Sequence, residues 1–117
     1  ALEEGVAGED GGELGGVRIL SPHTVALMTS NQSGALYSAN GGEGFGLGFS
    51  TLERLGADNT LFSVGSYGWG GAYGSNYRVD PRQGTVVVFM LNQLPNTSDL
   101  RAKFASLVYQ AMTVRRN

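Results

Sequence analysis

Covalent catalysis by serine or cysteine requires a base held against the nucleophile, and this 117-residue chain offers few candidates for either part. It has no cysteine, one histidine, His23, and one lysine, Lys103. Leu100 stands three residues before Lys103, so there is no Ser-x-x-Lys pair, and no Gly-x-Ser-x-Gly elbow occurs. A Ser-His-Asp triad would have to use His23, which sits beside Pro22 at the start of a short helix, the setting of an ordinary surface histidine. Glu3-Glu4 and Glu9-Asp10 pair carboxylates, but inside a glycine-rich stretch that reads as solvated loop. One imidazole and scattered carboxylates are a poor ligand set for zinc. The glycine-rich runs at 44–48 and 65–74 lack the spacing and the strand-to-helix setting of a phosphate loop, so no cofactor is expected.

What the sequence does concentrate is backbone stripped of side chains. Gly68-Trp69-Gly70-Gly71-Ala72-Tyr73-Gly74 places four glycines in seven residues, and Tyr73, Ser75, Tyr77 and Val79 then alternate as in a strand. Glycine weakens a strand unless a ligand or another backbone comes close, so the cluster marks a place of close approach. The alternative is a turn and bulge leading into an ordinary strand.

Composition narrows the setting. A net charge of -2, with basic residues scattered apart from Arg115-Arg116, argues against a nucleic-acid or polybasic membrane surface. No apolar run reaches the ~18 residues of a membrane span, and Ala1-Leu2-Glu3-Glu4 lacks the basic flank and apolar stretch of a signal peptide. The chain does not begin with Met, which suggests a processed, cloned or truncated product. Its length suits one domain, or a piece of one, with a modest core. The 19 glycines fall mainly at 5–16, 41–48 and 65–74 with no fixed period, which excludes a collagen-like or solenoid repeat.

The elements that must position the glycine-rich strand follow from periodicity. Residues 1–16 read as a glycine-rich flexible loop, and Val17–Leu20 as one short extended turn. Ser21-Pro22 starts a short helix, with serine capping and proline at the first helical position, and Val25, Leu27 and Met28 form its apolar face to about Thr29. Phe45, Leu47, Phe49 and Thr51 alternate with Gly46, Gly48 and Ser50, giving a strand with one large face and one bare face against which another element can pack. A second strand is expected near Thr60–Val64, and the glycine-opened strand is the third. Asp80-Pro81-Arg82-Gln83-Gly84 is a hairpin connection. The fourth strand, Thr85–Leu91, is apolar on both faces and reads as the centre of a sheet covered on two sides. Thr97 or Ser98 caps a final helix whose Leu100, Phe104, Leu107, Val108, Ala111 and Met112 make an apolar stripe. One long and one short helix are too little to cover such a sheet, so part of the partner surface is missing.

These stretches together resemble the C-terminal part of the serine β-lactamase and penicillin-binding-protein-like hydrolases, especially class C β-lactamases and related carboxylesterases. The resemblance runs from Gly44-Phe45-Gly46-Leu47-Gly48-Phe49 through Gly68–Gly74, Val79-Asp80-Pro81 and Val86–Gln93 to the last helix, with Leu20-Ser21-Pro22-His23-Thr24-Val25 and Met28-Thr29 before it. In that family the strand carries Lys-Thr-Gly, His-Thr-Gly or, in esterase-like members, Trp-Gly-Gly, and Trp69-Gly70-Gly71 stands at that position here. The resemblance implies that Ala72 supplies a backbone N–H to the oxyanion and that Trp69, Gly70, Gly71 and Tyr73 line the substrate pocket, with Trp69 as a wall. The plainer reading of Trp69 is a core or surface aromatic beside Tyr67. The family's Ser-x-x-Lys and Tyr-x-Asn motifs are absent, since Tyr37-Ser38-Ala39-Asn40 has the wrong spacing and lies too close to Trp69. Loss of the lysine or histidine from the third motif favours ester over lactam hydrolysis.

The expected fold is therefore α+β: an antiparallel sheet of about four strands with a C-terminal helix on one face, a partial β-lactamase-like fold in a single domain over 1–117. The expected function is the oxyanion strand and pocket wall of a serine hydrolase acting on a small ester or lactam, inactive alone. The alternative is a non-catalytic module that homodimerises or pairs with another chain through an open sheet edge, because the family's last strand pairs with strands that precede everything here. A small enzyme built on His23 is a third reading.

Overall fold

The computed structural model describes residues 11–37, 41–94 and 98–112. Where glycine ends one run of β-formers and begins the next, the chain folds back on itself. A two-residue hairpin comes first, β1 (Glu13–Leu14) against β2 (Val17–Arg18), pinned by an Arg18–Glu13 ion pair at 2.9 Å. Of the glycine-rich stretch 1–16, residues 1–10 lie outside the described residues, and its end turns into β1.

Helix α1 (Pro22–Met28) starts as the sequence requires: the Ser21 hydroxyl accepts from the Thr24 N–H at 3.1 Å, with proline in the first turn. The segment after it packs against the bare glycines of the first sheet hairpin. A Cβ at Gly46 would lie 2.1 Å from the Met28 carbonyl oxygen, and one at Gly44 would lie 2.5 Å from the Asn31 side chain. Close approach thus accounts for Gly46 of the alternation read from the sequence, and for Gly44 before it, whereas Gly48 has nothing within 4 Å of a Cβ. Asn31 fixes this packing: its Oδ1 accepts from the Ser33 N–H and hydroxyl and from the Phe45 N–H.

The main sheet has five antiparallel strands in the order β3 (Glu43–Phe45), β4 (Ser50–Leu52), β5 (Tyr67–Gly70), β6 (Asn76–Asp80) and β7 (Thr85–Phe89). Two strand expectations are corrected. The run from Phe45 to Thr51 is two strands joined by a turn, because Gly48 adopts φ 100° and the Gly46 N–H bonds the Phe49 carbonyl at 2.8 Å. Residues 60–64 form no strand; they lay buried Phe62 against the Tyr109 ring at 5.3 Å and give the Ser63 N–H to Asp80.

The third correction concerns β7. Its apolar run predicted a central strand, yet among the described residues it ends the sheet with only β6 beside it. Helix α2 (Leu100–Ala111) covers one face, where Val87 joins Leu52, Ala57, Phe62 and Ala105 in the core, with Val108 and Tyr109 packed against them. On the opposite face Val88 and Met90 are exposed, as are Leu100, Phe104 and Leu107 of the α2 stripe. Runs of apolar residues reveal burial by any partner, inside this chain or outside it. The N-cap of α2 is Asp99, whose side chain makes no cap bond but pairs with Lys103 at 3.0 Å; Thr97 lies outside the described residues.

The sheet is locked to α2 at one corner by Asp80. This carboxylate is fully buried and accepts from the Ser63 N–H at 2.9 Å, the Gln83 N–H at 3.2 Å and the Tyr109 hydroxyl. The hairpin Pro81–Gly84 that follows closes as its turn residues require, with Gly84 at φ 63°.

Candidate functional site

The glycine-rich stretch forms a hairpin whose first strand is Tyr67-Gly68-Trp69-Gly70. Cross-strand register sets Trp69 opposite Tyr77 and Tyr77 opposite Val88, while Gly68 faces Arg78 and Arg78 faces Val87. Directly paired residues share a face, and Val87 belongs to the core under α2. Trp69, Tyr77 and Val88 therefore occupy the face turned away from α2.

The four glycines do different work. At Gly68 a Cβ would meet the Tyr77 carbonyl oxygen at 2.1 Å, so that glycine serves the packing of the strands themselves. At Gly71 the nearest atom to a Cβ is the Ser75 carbonyl oxygen, 4.0 Å away, so that glycine leaves open backbone. The strand continues into a turn held by the Gly71 N–H to Ser75 carbonyl bond at 2.8 Å and the Gly74 N–H to Gly71 carbonyl bond at 3.1 Å, with Gly74 at φ 94°. The Tyr73 carbonyl accepts from the Gln93 N–H, and the Ser75 hydroxyl donates to the Leu91 carbonyl, which fixes the turn to the end of β7.

Trp69, Gly70 and Gly71 line an apolar groove of about 230 Å³ with Tyr77, Val88 and Met90. Trp69 is about half exposed and stands edge-on to Phe45 at 5.2 Å, which in turn stands edge-on to Tyr37 at 5.6 Å. The indole is thus neither a sealed core group nor a loose surface one. Ala72 and Tyr73 are exposed in the turn and line neither this groove nor the cavity under α2. Among the described residues the Ala72 N–H has no hydrogen-bond partner. Of the five residues singled out by sequence, three come together on the groove and two flank it.

On the sheet face under α2 lies a charged cluster that sequence reasoning missed. Arg78 is 6% exposed; its Nη1 donates to the Ser50 hydroxyl at 2.8 Å and its Nε to the Ser66 hydroxyl at 3.3 Å, with the guanidinium 5.8 Å from the Phe62 ring centre. Burial pulls its pKa down, opposed by Asp58, Glu43 and Asp80 and reinforced by Arg101. The signal was present in the alternation Asn76, Arg78, Asp80, which puts three polar side chains on one strand face beside an apolar one. The Tyr67 hydroxyl, on the Trp69 face, is pushed up to about 12 by burial and then by Tyr77. His23 is exposed on α1, and Ser38–Asn40 lie outside the described residues. No group of three or more metal-ligating side chains occurs among the described residues, and no helix there is long and apolar enough to cross a membrane.

The family model for Beta-lactamase matches residues 6–111. Two curated proteins of Mycobacterium tuberculosis, the uncharacterized protein MT1414 of strain CDC 1551 / Oshkosh and protein Rv1367c of strain ATCC 25618 / H37Rv, are each 31% identical over 100 residues. Each alignment covers 74% of this chain and 24% of the relative. Among solved structures, EstCE1, described as a hydrolase with promiscuous acyltransferase activity, superposes with a TM-score of 0.65 at 31% identity, covering 87% of this chain and 25% of EstCE1. The chain spans about a quarter of the length of these relatives.

Proposed function

The chain belongs to the beta-lactamase family, and from that premise we propose that it is the C-terminal portion of a serine hydrolase, an esterase before a lactamase, contributing the oxyanion strand and the pocket wall. The observation that carries the proposal is the open backbone at Gly71-Ala72 beside the half-exposed indole of Trp69. A serine held on the rest of such an enzyme would attack the carbonyl carbon of a small ester or lactam. The Ala72 N–H would then donate to the oxygen as it gains negative charge. Loss of the leaving group gives the acyl-serine, and water releases the acid. The groove of Trp69, Tyr77, Val88 and Met90 would take the apolar part of the substrate. Without a Ser-x-x-Lys pair the chain alone is inactive, because a donor with no nucleophile has no oxyanion to stabilise.

A graft tests this reading. In a polypeptide joining this chain to the remaining portion of EstCE1, Ala72→Pro removes the N–H, and kcat for a chromogenic ester should fall by about 10²–10³. Unchanged turnover in a folded graft would remove Ala72 from the role.

A second reading, a non-catalytic module that pairs with a second copy or another chain, is favoured by β7 at the sheet edge with Val88 and Met90 exposed. It predicts a dimer by light scattering that a charge at the edge, Val88→Lys, converts to monomer. A monomer at high concentration counts against it.

A further inference from the structure

The cavity under α2 carries an unfilled demand for a hydrogen-bond acceptor. It measures about 380 Å³ and is bounded by Arg78 on β6, Arg101 on α2, and Asn76 and Gly70 on the hairpin. Arg78 is buried, two of its three nitrogens are satisfied by serine hydroxyls, and its Nη2 has no partner among the described residues. Buried guanidinium groups are ordinarily paired, because an unpaired buried donor on a charged group is costly.

A second guanidinium, Arg101, borders the same cavity. A Cβ at Gly70 would lie 3.1 Å from Asn76 Nδ2, 3.3 Å from the Ser75 carbonyl oxygen and 3.8 Å from an Arg101 terminal nitrogen, so the missing side chain leaves a recess that Arg101 borders, while Asn76 Nδ2 already donates to the Trp69 carbonyl at 3.1 Å. Arg101 sits in the first turn of α2, whose N-cap Asp99 makes no side-chain cap bond. That end of the helix favours negative charge. Acidic groups are also present: Asp58 and Glu43 line the cavity, with the Asp58 Oδ1 taken by the Thr60 N–H and hydroxyl. Two positive and two negative side chains leave little field for a dianion, whereas one planar, singly charged carboxylate matches the fork of a guanidinium.

We propose that the cavity between the sheet and α2 is a carboxylate-binding socket, in which Arg78 and Arg101 hold the two oxygens of one carboxylate. The carboxylate comes either from a free small acid or from an acidic side chain of a polypeptide. Trp69, Gly70 and Gly71 also line this cavity, so the socket adjoins the pocket wall proposed above, but binding by Arg78 and Arg101 does not depend on the oxyanion role of Ala72.

The test is titration of the purified chain with sodium acetate, with acetamide and sodium chloride as controls at matched ionic strength, following the arginine side-chain N–H resonances by nuclear magnetic resonance. Acetate should shift the Arg78 resonance saturably, and acetamide and chloride should not. Arg101→Gln, at an exposed position, should weaken acetate binding about threefold to fivefold, and Arg78→Met should abolish it. Should Arg78→Met fail to fold, the Arg101→Gln result decides. The blocked peptide acetyl-Gly-Glu-Gly-amide separates the sources: tighter binding than acetate assigns the socket to a polypeptide side chain, and equal or weaker binding assigns it to a small acid. Equal responses to acetate and acetamide, or binding unchanged by Arg101→Gln, would overturn the proposal.

Discussion

Replacing Tyr109 with phenylalanine isolates the bond that ties α2 to the sheet. The ring keeps its edge-on contact with Phe62, and only the hydroxyl donated to the buried Asp80 carboxylate is lost. Hydrogen bonds to charged groups contribute about 1.5–3 kcal/mol, and since Tyr109 is only partly buried the lower part of that range applies. A loss of about 1.5–2 kcal/mol in a domain of this length lowers Tm by roughly 6–8 °C. Asp80 retains the Ser63 and Gln83 N–H donors, so the fold survives. Asp80→Ala, by contrast, strands two backbone donors and the tyrosine hydroxyl at once and should cost upwards of about 4 kcal/mol. The assay is urea unfolding followed by the fluorescence of the single tryptophan, Trp69, with thermal melts by circular dichroism. A Tyr109→Phe variant within about 1 °C of the unaltered chain would refute the docking of α2 through Asp80.

Two further perturbations probe the same scaffold. Gly46→Ala drives a methyl group to 2.1 Å from the Met28 carbonyl oxygen, which the backbone can relieve only by moving; it should destabilise by about 2–3 kcal/mol, read as a lower urea midpoint. Gly71→Ala meets nothing nearer than 4.0 Å and should stay within about 0.5 kcal/mol, so equal effects at both positions would refute the division of glycines into packed and open. Alkali should unfold the chain for a definite reason. The Tyr67 hydroxyl is raised from 10.0 to about 12 and that of Tyr109 is raised as well, by burial and by Asp80, so the unfolded chain loses these protons first. The resulting stability is fully present below pH 10 and declines as pH rises from there through about 12 for Tyr67. Phenolate absorbance should show Tyr67 and the partly buried Tyr109 ionising later than in the unfolded chain; ionisation of all tyrosines near pH 10 in the folded chain would contradict this.

Local chemistry was legible in the sequence wherever short-range geometry decided the outcome. Ser21-Pro22 starts a helix and Asp80–Gly84 a hairpin because capping and turn preferences act within a few residues. Of the bare glycines in that alternation, Gly46 received close packing from Met28 and Ser30, while Gly48 did not. What failed depended on distant partners. The alternation across Phe45–Thr51 could not reveal that Gly48 turns the chain, and the apolarity of Thr85–Leu91 measured burial without saying whose atoms do the burying. The family resemblance supplied what periodicity could not, an open edge at the last strand, and β7 is at the edge among the described residues. At the site, the Trp69-Gly70-Gly71 cluster was visible because glycine is informative by itself. Arg78 was not, since a single arginine between Tyr77 and Val79 acquires its meaning only when α2 closes over it.

The central claim is that this chain carries the half of a hydrolytic cleft that receives charge and lacks the half that attacks. Turnover of a chromogenic acetate ester by the purified chain tests it most directly. The rate should equal that of buffer and be unchanged by His23→Ala. Robust turnover that disappears with His23 would mean a self-sufficient enzyme, and the account given for Trp69, Gly70, Gly71 and Ala72 would be wrong.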